Sequence, residues 1–206
     1  LPESSRDVRS FAEVLEGTAH ADVAQTSSDE TAVILYTSGT TGKPKGAELT
    51  HLNVYFNAQY NAEKTFSLWP REINVLGPGQ VSLAALPLYH TFGQTNVHSS
   101  TLFGGGAVTF LRRFTAEDAV RVIQRDRVTH FAGVPTMYLC ILNDPATRDA
   151  DLTCLRFCIS GGAPMPVEVK TEFQRRFGVR IQEGYGLTET SPLACQQRID
   201  ETDAAG

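Results

Sequence analysis

Residues 36 to 46 read Tyr-Thr-Ser-Gly-Thr-Thr-Gly-Lys-Pro-Lys-Gly. Three glycines, four aliphatic hydroxyls (Thr37, Ser38, Thr40, Thr41) and two lysines (Lys43, Lys45) crowd into one loop after the apolar run Ala32-Val33-Ile34-Leu35. Gly39 and Gly42 let the backbone turn back and present consecutive N–H groups, which with the hydroxyls can cradle phosphate oxygens. The spacing is not the common phosphate loop, Gly-x-x-x-x-Gly-Lys-Ser/Thr leading into a helix, because Pro44 stands five residues after Gly39 and neither lysine precedes Ser or Thr. A solvated connector uses the same residue types. Eleven of them in a row after a buried-type run favour a polyphosphate site.

The elements that must hold this loop are legible as short apolar runs alternating with helical patterns. Strands are expected at 32–37, 81–86, 107–111, 130–134, 156–160 and 180–183, several of them continuously apolar, as in strands covered on both faces. Thr115-Ala116-Glu117-Asp118 reads as a helix N-terminus, with Ala119, Val122 and Ile123 on one face. Val169, Phe173 and Phe177 recur at helical spacing, and Gly178 is placed to end that helix. A helix is expected over 52–60, following the phosphate loop. Such alternation predicts an α/β fold with a largely parallel sheet and helices on both faces.

Residues 1–29 read as a polar lead-in and linker, with one or two amphipathic turns around Phe11, Val14 and Leu15, and 61–80 as an irregular excursion. The chain has 206 residues, 41% hydrophobic and 20% charged, with net charge −5. That suits one sizeable core, and the acidic balance argues against a nucleic-acid partner. Arg175-Arg176 reads as the solvated side of a helix. Four cysteines (Cys140, Cys154, Cys158, Cys195) lack ligand-like spacing and read as buried free thiols in a reducing cytoplasm. No apolar run approaches the roughly 20 residues needed to cross a bilayer.

The loop resembles the signature of the adenylate-forming superfamily, which includes acyl-CoA synthetases, luciferases and the adenylation domains of peptide synthetases. Two more segments match in order: Pro87-Leu88-Tyr89-His90-Thr91-Phe92-Gly93, and Gln182-Glu183-Gly184-Tyr185-Gly186-Leu187-Thr188-Glu189-Thr190-Ser191-Pro192. A weaker fourth, Ser160-Gly161-Gly162-Ala163-Pro164, lies between them. The match runs through most of 30–192. It implies ATP-dependent activation of a carboxylic acid, with Mg²⁺ as the metal and coenzyme A as co-substrate.

In that chemistry a carboxylate attacks the α-phosphorus of ATP, so that its oxygen becomes a leaving group. The resemblance assigns the pyrophosphate end to Thr37, Ser38, Gly39, Thr40, Thr41, Gly42, Lys43 and Lys45. It assigns the α-phosphate to Thr188 and the metal to Glu189, although Thr-Glu is also a common helix start. Gly161, Gly162, Ala163, Glu183, Gly184, Tyr185 and Gly186 would meet the adenine, while a plain strand-to-helix connection and a core tyrosine are the competing readings. His90 would stand at the substrate carboxylate, making it catalytic together with Thr188 and Glu189. Val134 to Tyr138 resembles an acyl-pocket wall; Gly93 and Gly104 to Gly106 leave room for an acyl chain or form turns.

The Pro-Leu-Tyr-His-Thr-Phe-Gly form resembles acyl-CoA ligases of fatty or aryl acids. The Phe-Asp of peptide-synthetase domains is missing, so a buried substrate ammonium would have no partner. A fatty acid is the expected substrate class, with an aryl-acid or peptide-synthetase-type domain as the alternative, and a non-catalytic nucleotide-binding module as the alternative of another class. The family's ribose-binding Asp motif and lysine-bearing C-terminal domain have no counterpart in these residues. The chain is therefore expected to be a central piece of the large N-terminal domain, inactive by itself and prone to self-association.

Overall fold

The computed structural model describes residues 23–39, 42–67 and 76–197, with side chains described only to 63 in the second stretch. The turns around Phe11, Val14 and Leu15, the hydroxyls of Thr40 and Thr41, and part of the 61–80 excursion lie outside the described residues.

The phosphate-type loop joins β1 (Thr31–Thr37) to β2 (Lys45–Thr50) in an antiparallel hairpin, with Thr37 opposite Lys45 and Tyr36 opposite Gly46. This departs from the sequence reading twice. The 32–37 run is not a strand of the main sheet, and a strand intervenes before α1 (His51–Ser67), which extends seven residues past the expected end at 60. Gly39 makes the hairpin end possible. Its φ is +61°, and a Cβ there would lie 2.8 Å from the Lys43 carbonyl oxygen.

The main sheet contains β3 (Val81–Ala84), β4 (Ala107–Phe110), β5 (His130–Gly133), β6 (Phe157–Ser160), β7 (Ile181–Gly186) and β8 (Leu193–Gln196). Their spatial order is β4-β3-β5-β6-β7-β8, with every pair parallel except β7 and β8. The parallel pairs are bridged by α2 (Ser100–Phe103), α3 (Ala116–Asp126), α4 (Pro135–Asn143) and α5 (Val167–Phe177). A π-helical stretch, Phe92–Ser99, leads into α2.

Period-two alternation divides the strand residues between two cores. Leu83, Phe131, Cys158 and Ile181 pack with α3, α4 and α5 on one face. Ala84, Ala132, Phe157 and Ile159 pack with Leu86 and Val97 on the other, where the π-helical stretch lies. The expected parallel sheet with helices on both faces is thus what these residues build. Each fully buried Phe or Leu contributes about 2 kcal/mol, and Phe131, Phe173 and Leu83 are completely buried. Thr115 Oγ1 accepts from the Asp118 N–H at 3.1 Å to start α3, and Gly178, with φ +74°, ends α5.

On this second face a buried polar chain ties the sheet to the segment that ends in α2. Ser82 Oγ lies 2.9 Å from His130 Nδ1 and 2.8 Å from Thr101 Oγ1, which donates to the Val97 carbonyl at 2.6 Å. With that donation made, Ser82 donates to Thr101 and His130 Nδ1–H donates to Ser82. Only the Nε2 lone pair is then unpartnered, which costs less than a buried unpaired N–H would. Burial lowers the His130 pKa to about 4.

Three smaller expectations change. Arg176 is not simply solvated: it donates to the carbonyls of Leu142 (3.0 Å) and Thr147 and lies 4.8 Å from the Phe177 ring. All four cysteines are free, but only Cys158 is buried, whereas Cys154 is half-buried and Cys140 and Cys195 are exposed. Gly93 and Gly104 to Gly106 serve close backbone contacts and a turn against Pro87, Leu76 and Pro78.

Candidate functional site

The chain reverses direction across the sheet between β3 and β5, because β4 lies on the far side of β3. In open parallel sheets, ligands bind outside the carboxyl ends of the strands near such a reversal. The motif residues emerge there. His90, Thr91 and Phe92 follow β3, Gly161 and Gly162 follow β6, and Gly184 to Glu189 finish and follow β7. With Thr37, Asn96, Ile159, Pro192 and Leu193 they line a cleft of about 370 Å³. A second groove shares Gly162 and Gly184 to Leu187 and adds Ala163, Pro164, Glu183, Cys195, Gln196 and Gln197. Four segments far apart in sequence therefore share one cleft.

His90 is exposed, and its Nδ1 accepts the Phe92 N–H at 3.1 Å. That bond needs the Nδ1 lone pair, so the neutral ring carries its proton on Nε2. The imidazole is thus a hydrogen-bond donor with one free nitrogen, and the residue lines the cleft.

Thr188 and Glu189 stand on a short 3₁₀ turn whose loop is closed tightly. The Leu187 N–H donates to the Pro192 carbonyl at 3.0 Å and to Thr190 Oγ1 at 2.9 Å. A Cβ at Gly186 would overlap the Pro192 carbonyl, so only glycine permits this closure. Asn57 from α1 donates to the carbonyls of Thr190 (3.0 Å) and Leu193 (3.1 Å) and fixes the loop from behind. Neither the Thr188 hydroxyl nor the exposed Glu189 carboxylate bonds another described residue. No Lys or Arg is among the cleft-lining residues. Mg²⁺ takes one or two carboxylates and completes its shell with phosphate and water, so a single free carboxylate suits it. Among the described residues no group of three or more His, Cys, Asp or Glu side chains could hold a metal by themselves.

The remaining expected residues divide. Thr37 reaches the cleft, and Lys45 is its cross-strand neighbour. Ser38, Gly39, Gly42, Lys43 and Lys45 form the hairpin end without lining the cleft. Gly161, Gly162, Ala163, Gly184, Tyr185 and Gly186 lie together along the two grooves, and Tyr185 is 61% exposed, its ring open to a planar group. Glu183 lines the groove, but its carboxylate is engaged by Lys170 Nζ (3.1 Å) and the Met165 N–H (3.3 Å). Val134 to Tyr138 lines neither of these two grooves: Pro135 opens α4, and Tyr138 is fully buried, its hydroxyl against the carbonyls of Phe131 and Ile159. The sequence reading missed Asn57 and Asn96, whose amides carry no local signal of chemistry. It also missed Cys195, Gln196 and Gln197 on β8 and just beyond it.

Comparison with known proteins shows the family. The AMP-binding enzyme family matches residues 2–206. The long-chain-fatty-acid–CoA ligase of Bacillus subtilis is 36% identical over 162 residues, 79% of this chain and 28% of that protein. The feruloyl-CoA synthase of an Amycolatopsis species is 37% identical over 164 residues, 80% of this chain and 31% of that protein. The ATP-bound crystal structure of MatB from Rhodopseudomonas palustris superposes with a TM-score of 0.76 at 32% identity, covering 93% of this chain and 36% of that one. The chain spans about a third of the length of the curated relatives it matches. With the family's motifs gathered at one cleft and its match running along nearly the whole chain, the protein belongs to the AMP-binding enzymes.

Proposed function

We propose that the full-length protein containing this chain activates a carboxylic acid with ATP and passes the acyl group to coenzyme A. A carboxylate oxygen bonds to the α-phosphorus as the bond to the β-bridging oxygen breaks, releasing pyrophosphate. The thiol of coenzyme A, losing its proton, then attacks the acyl carbonyl and AMP departs with the electron pair of the C–O bond. One observation carries this reading: a donor imidazole, a free hydroxyl and a free carboxylate share a cleft with glycine-rich walls.

In this reading His90 Nε2–H orients the carboxylate, and Thr188 donates to an α-phosphate oxygen. Glu189 would hold Mg²⁺, which supplies charge neutralisation to the phosphates. The hairpin end with Lys43 and Lys45 takes the leaving pyrophosphate, while Tyr185 and the glycine walls take the adenine. Glu183 acts through its Lys170 pair to shape that wall.

The named ligase relatives take both fatty and aromatic acids, so a fatty acid is one option within the proposed class. Four free thiols fit a reducing compartment such as the cytoplasm. Among the described residues no helix is long and apolar enough to cross a membrane. The 206 residues alone are expected to form no thioester, and exposed Tyr36, Phe56 and Phe110 favour self-association. Acid-dependent ATP–pyrophosphate exchange by the full-length protein across fatty, aryl and amino acids tests the reading. Exchange with amino acids alone would favour the peptide-synthetase type. ATP binding without exchange for any acid would leave a nucleotide-binding module.

A further inference from the structure

The cleft wall that continues past His90 is polar where a pocket for a plain hydrocarbon would be apolar. Asn96 lines the cleft and is 5% exposed, and its side-chain amide bonds no other described residue. It is also not among the sealed-in orphan atoms, so the amide retains access to the cleft. Thr91, one residue after His90, lines the same cleft, but its hydroxyl is sealed beneath the surface, so Asn96 is the polar side chain of this stretch with an open amide. Buried polar groups in folded proteins are nearly always hydrogen-bonded, and exceptions in a cleft point to a ligand atom that completes them. The cleft lining also includes Phe92, Ile159 and Leu193, whose side chains carry no hydrogen-bonding group.

Resting on the adenylation reading of this cleft, we propose that its acid carries a neutral hydrogen-bonding group, a hydroxyl or an oxo oxygen, set back from the carboxyl. Asn96 is the residue that reads it. The amide has two N–H donors and one acceptor oxygen, matching a hydroxyl in both directions and an oxo group through a donor. A second charged group is disfavoured, because the lining residues include no Lys or Arg to pair a carboxylate and His90 is committed to the first. An unsubstituted alkyl chain would leave the Asn96 amide desolvated and unpaired.

The test uses the full-length protein with paired acids, straight-chain and aryl, each hydroxyl- or oxo-substituted acid beside its unsubstituted parent. ATP–pyrophosphate exchange should favour a substituted acid over its parent by roughly tenfold or more in kcat/KM. Asn96→Leu, close in shape, should bring that ratio near one, and Asn96→Ala serves if leucine does not fold. Parents preferred throughout, or a ratio that survives both variants, would overturn the assignment. Binding of the same acid pairs, followed by ligand-observed NMR, separates this inference from the reaction. A preference abolished by Asn96→Leu upholds it even if no acid supports exchange, and no Asn96-dependent preference in binding overturns it.

Discussion

The side-chain amide of Asn57 donates to the carbonyl of Thr190 at 3.0 Å across 133 residues of sequence, and also to Leu193. Its own oxygen accepts from Asn61 at 3.1 Å, which fixes the amide's orientation. The helix after the hairpin therefore holds the loop that presents Thr188 and Glu189. Asn57→Ala is expected to cost about 1–2 kcal/mol of stability in urea unfolding and to raise the Mg²⁺ concentration for half-maximal exchange. Asn57→Asp should be worse than alanine, since it sets a carboxylate against two carbonyl oxygens. Equal effects of the two variants would mean that the amide does not act through those carbonyls.

Glu189 is exposed and bonds no described residue, so its removal has little folding consequence. Glu189→Gln should leave stability within about 0.5 kcal/mol of the parent while lowering exchange roughly tenfold or more at limiting Mg²⁺. Exchange that keeps its wild-type dependence on Mg²⁺ would remove the metal assignment.

His90 and Lys45 should separate the two substrates. His90→Ala is expected to lower kcat/KM for the acid while the KM for ATP stays within about twofold, because only the carboxylate loses a donor. Lys45→Ala should raise the KM for ATP roughly tenfold through loss of a charge-assisted contact. Steady-state exchange with each substrate varied in turn distinguishes them, and a crossed pattern would exchange the two roles.

His130 makes stability depend on pH. Its pKa of about 4 in the fold lies below the ordinary 6.5, so the unfolded chain binds a proton that the native state does not. The stabilisation is fully present above about pH 6.5 and falls away as pH drops from there to about 4, by about 3 kcal/mol in total. Denaturant unfolding at pH 7.5 and pH 5 should show about 2 kcal/mol of this loss, and His130→Phe, which keeps a ring beside Phe157, should flatten that part of the profile. A slope unchanged in the variant would place the titration elsewhere.

Much of the fold was legible in local pattern. The starts of β3, β4 and β5 coincide with their apolar runs, and the Thr115 cap and the Gly178 stop are set by contacts within a few residues, which sequence expresses directly. The strand Lys45-Gly-Ala-Glu-Leu-Thr was not legible, because its charges and glycine suit a loop equally well until β1 pairs with it. The short strand β8 exists only because β7 provides its partner. Pro135 at the first position of α4 was an available helix signal that the motif reading passed over.

The chemistry divides in the same way. His90, Thr188, Glu189 and the glycine turns belong to motifs whose residue types announce their use, and sequence alone singled them out. That they share one cleft follows from the parallel pairing of the strands, which carries the carboxyl ends of β3, β6 and β7 to the same end of the sheet. Tertiary structure also moved Tyr138 from pocket to core, gave the Glu183 carboxylate to Lys170, and brought the amides of Asn57 and Asn96 into play. An amide or a phenol has no fixed role of its own. What it does depends on whether its neighbours in space satisfy its hydrogen bonds or leave them open, and those neighbours are far away along the chain.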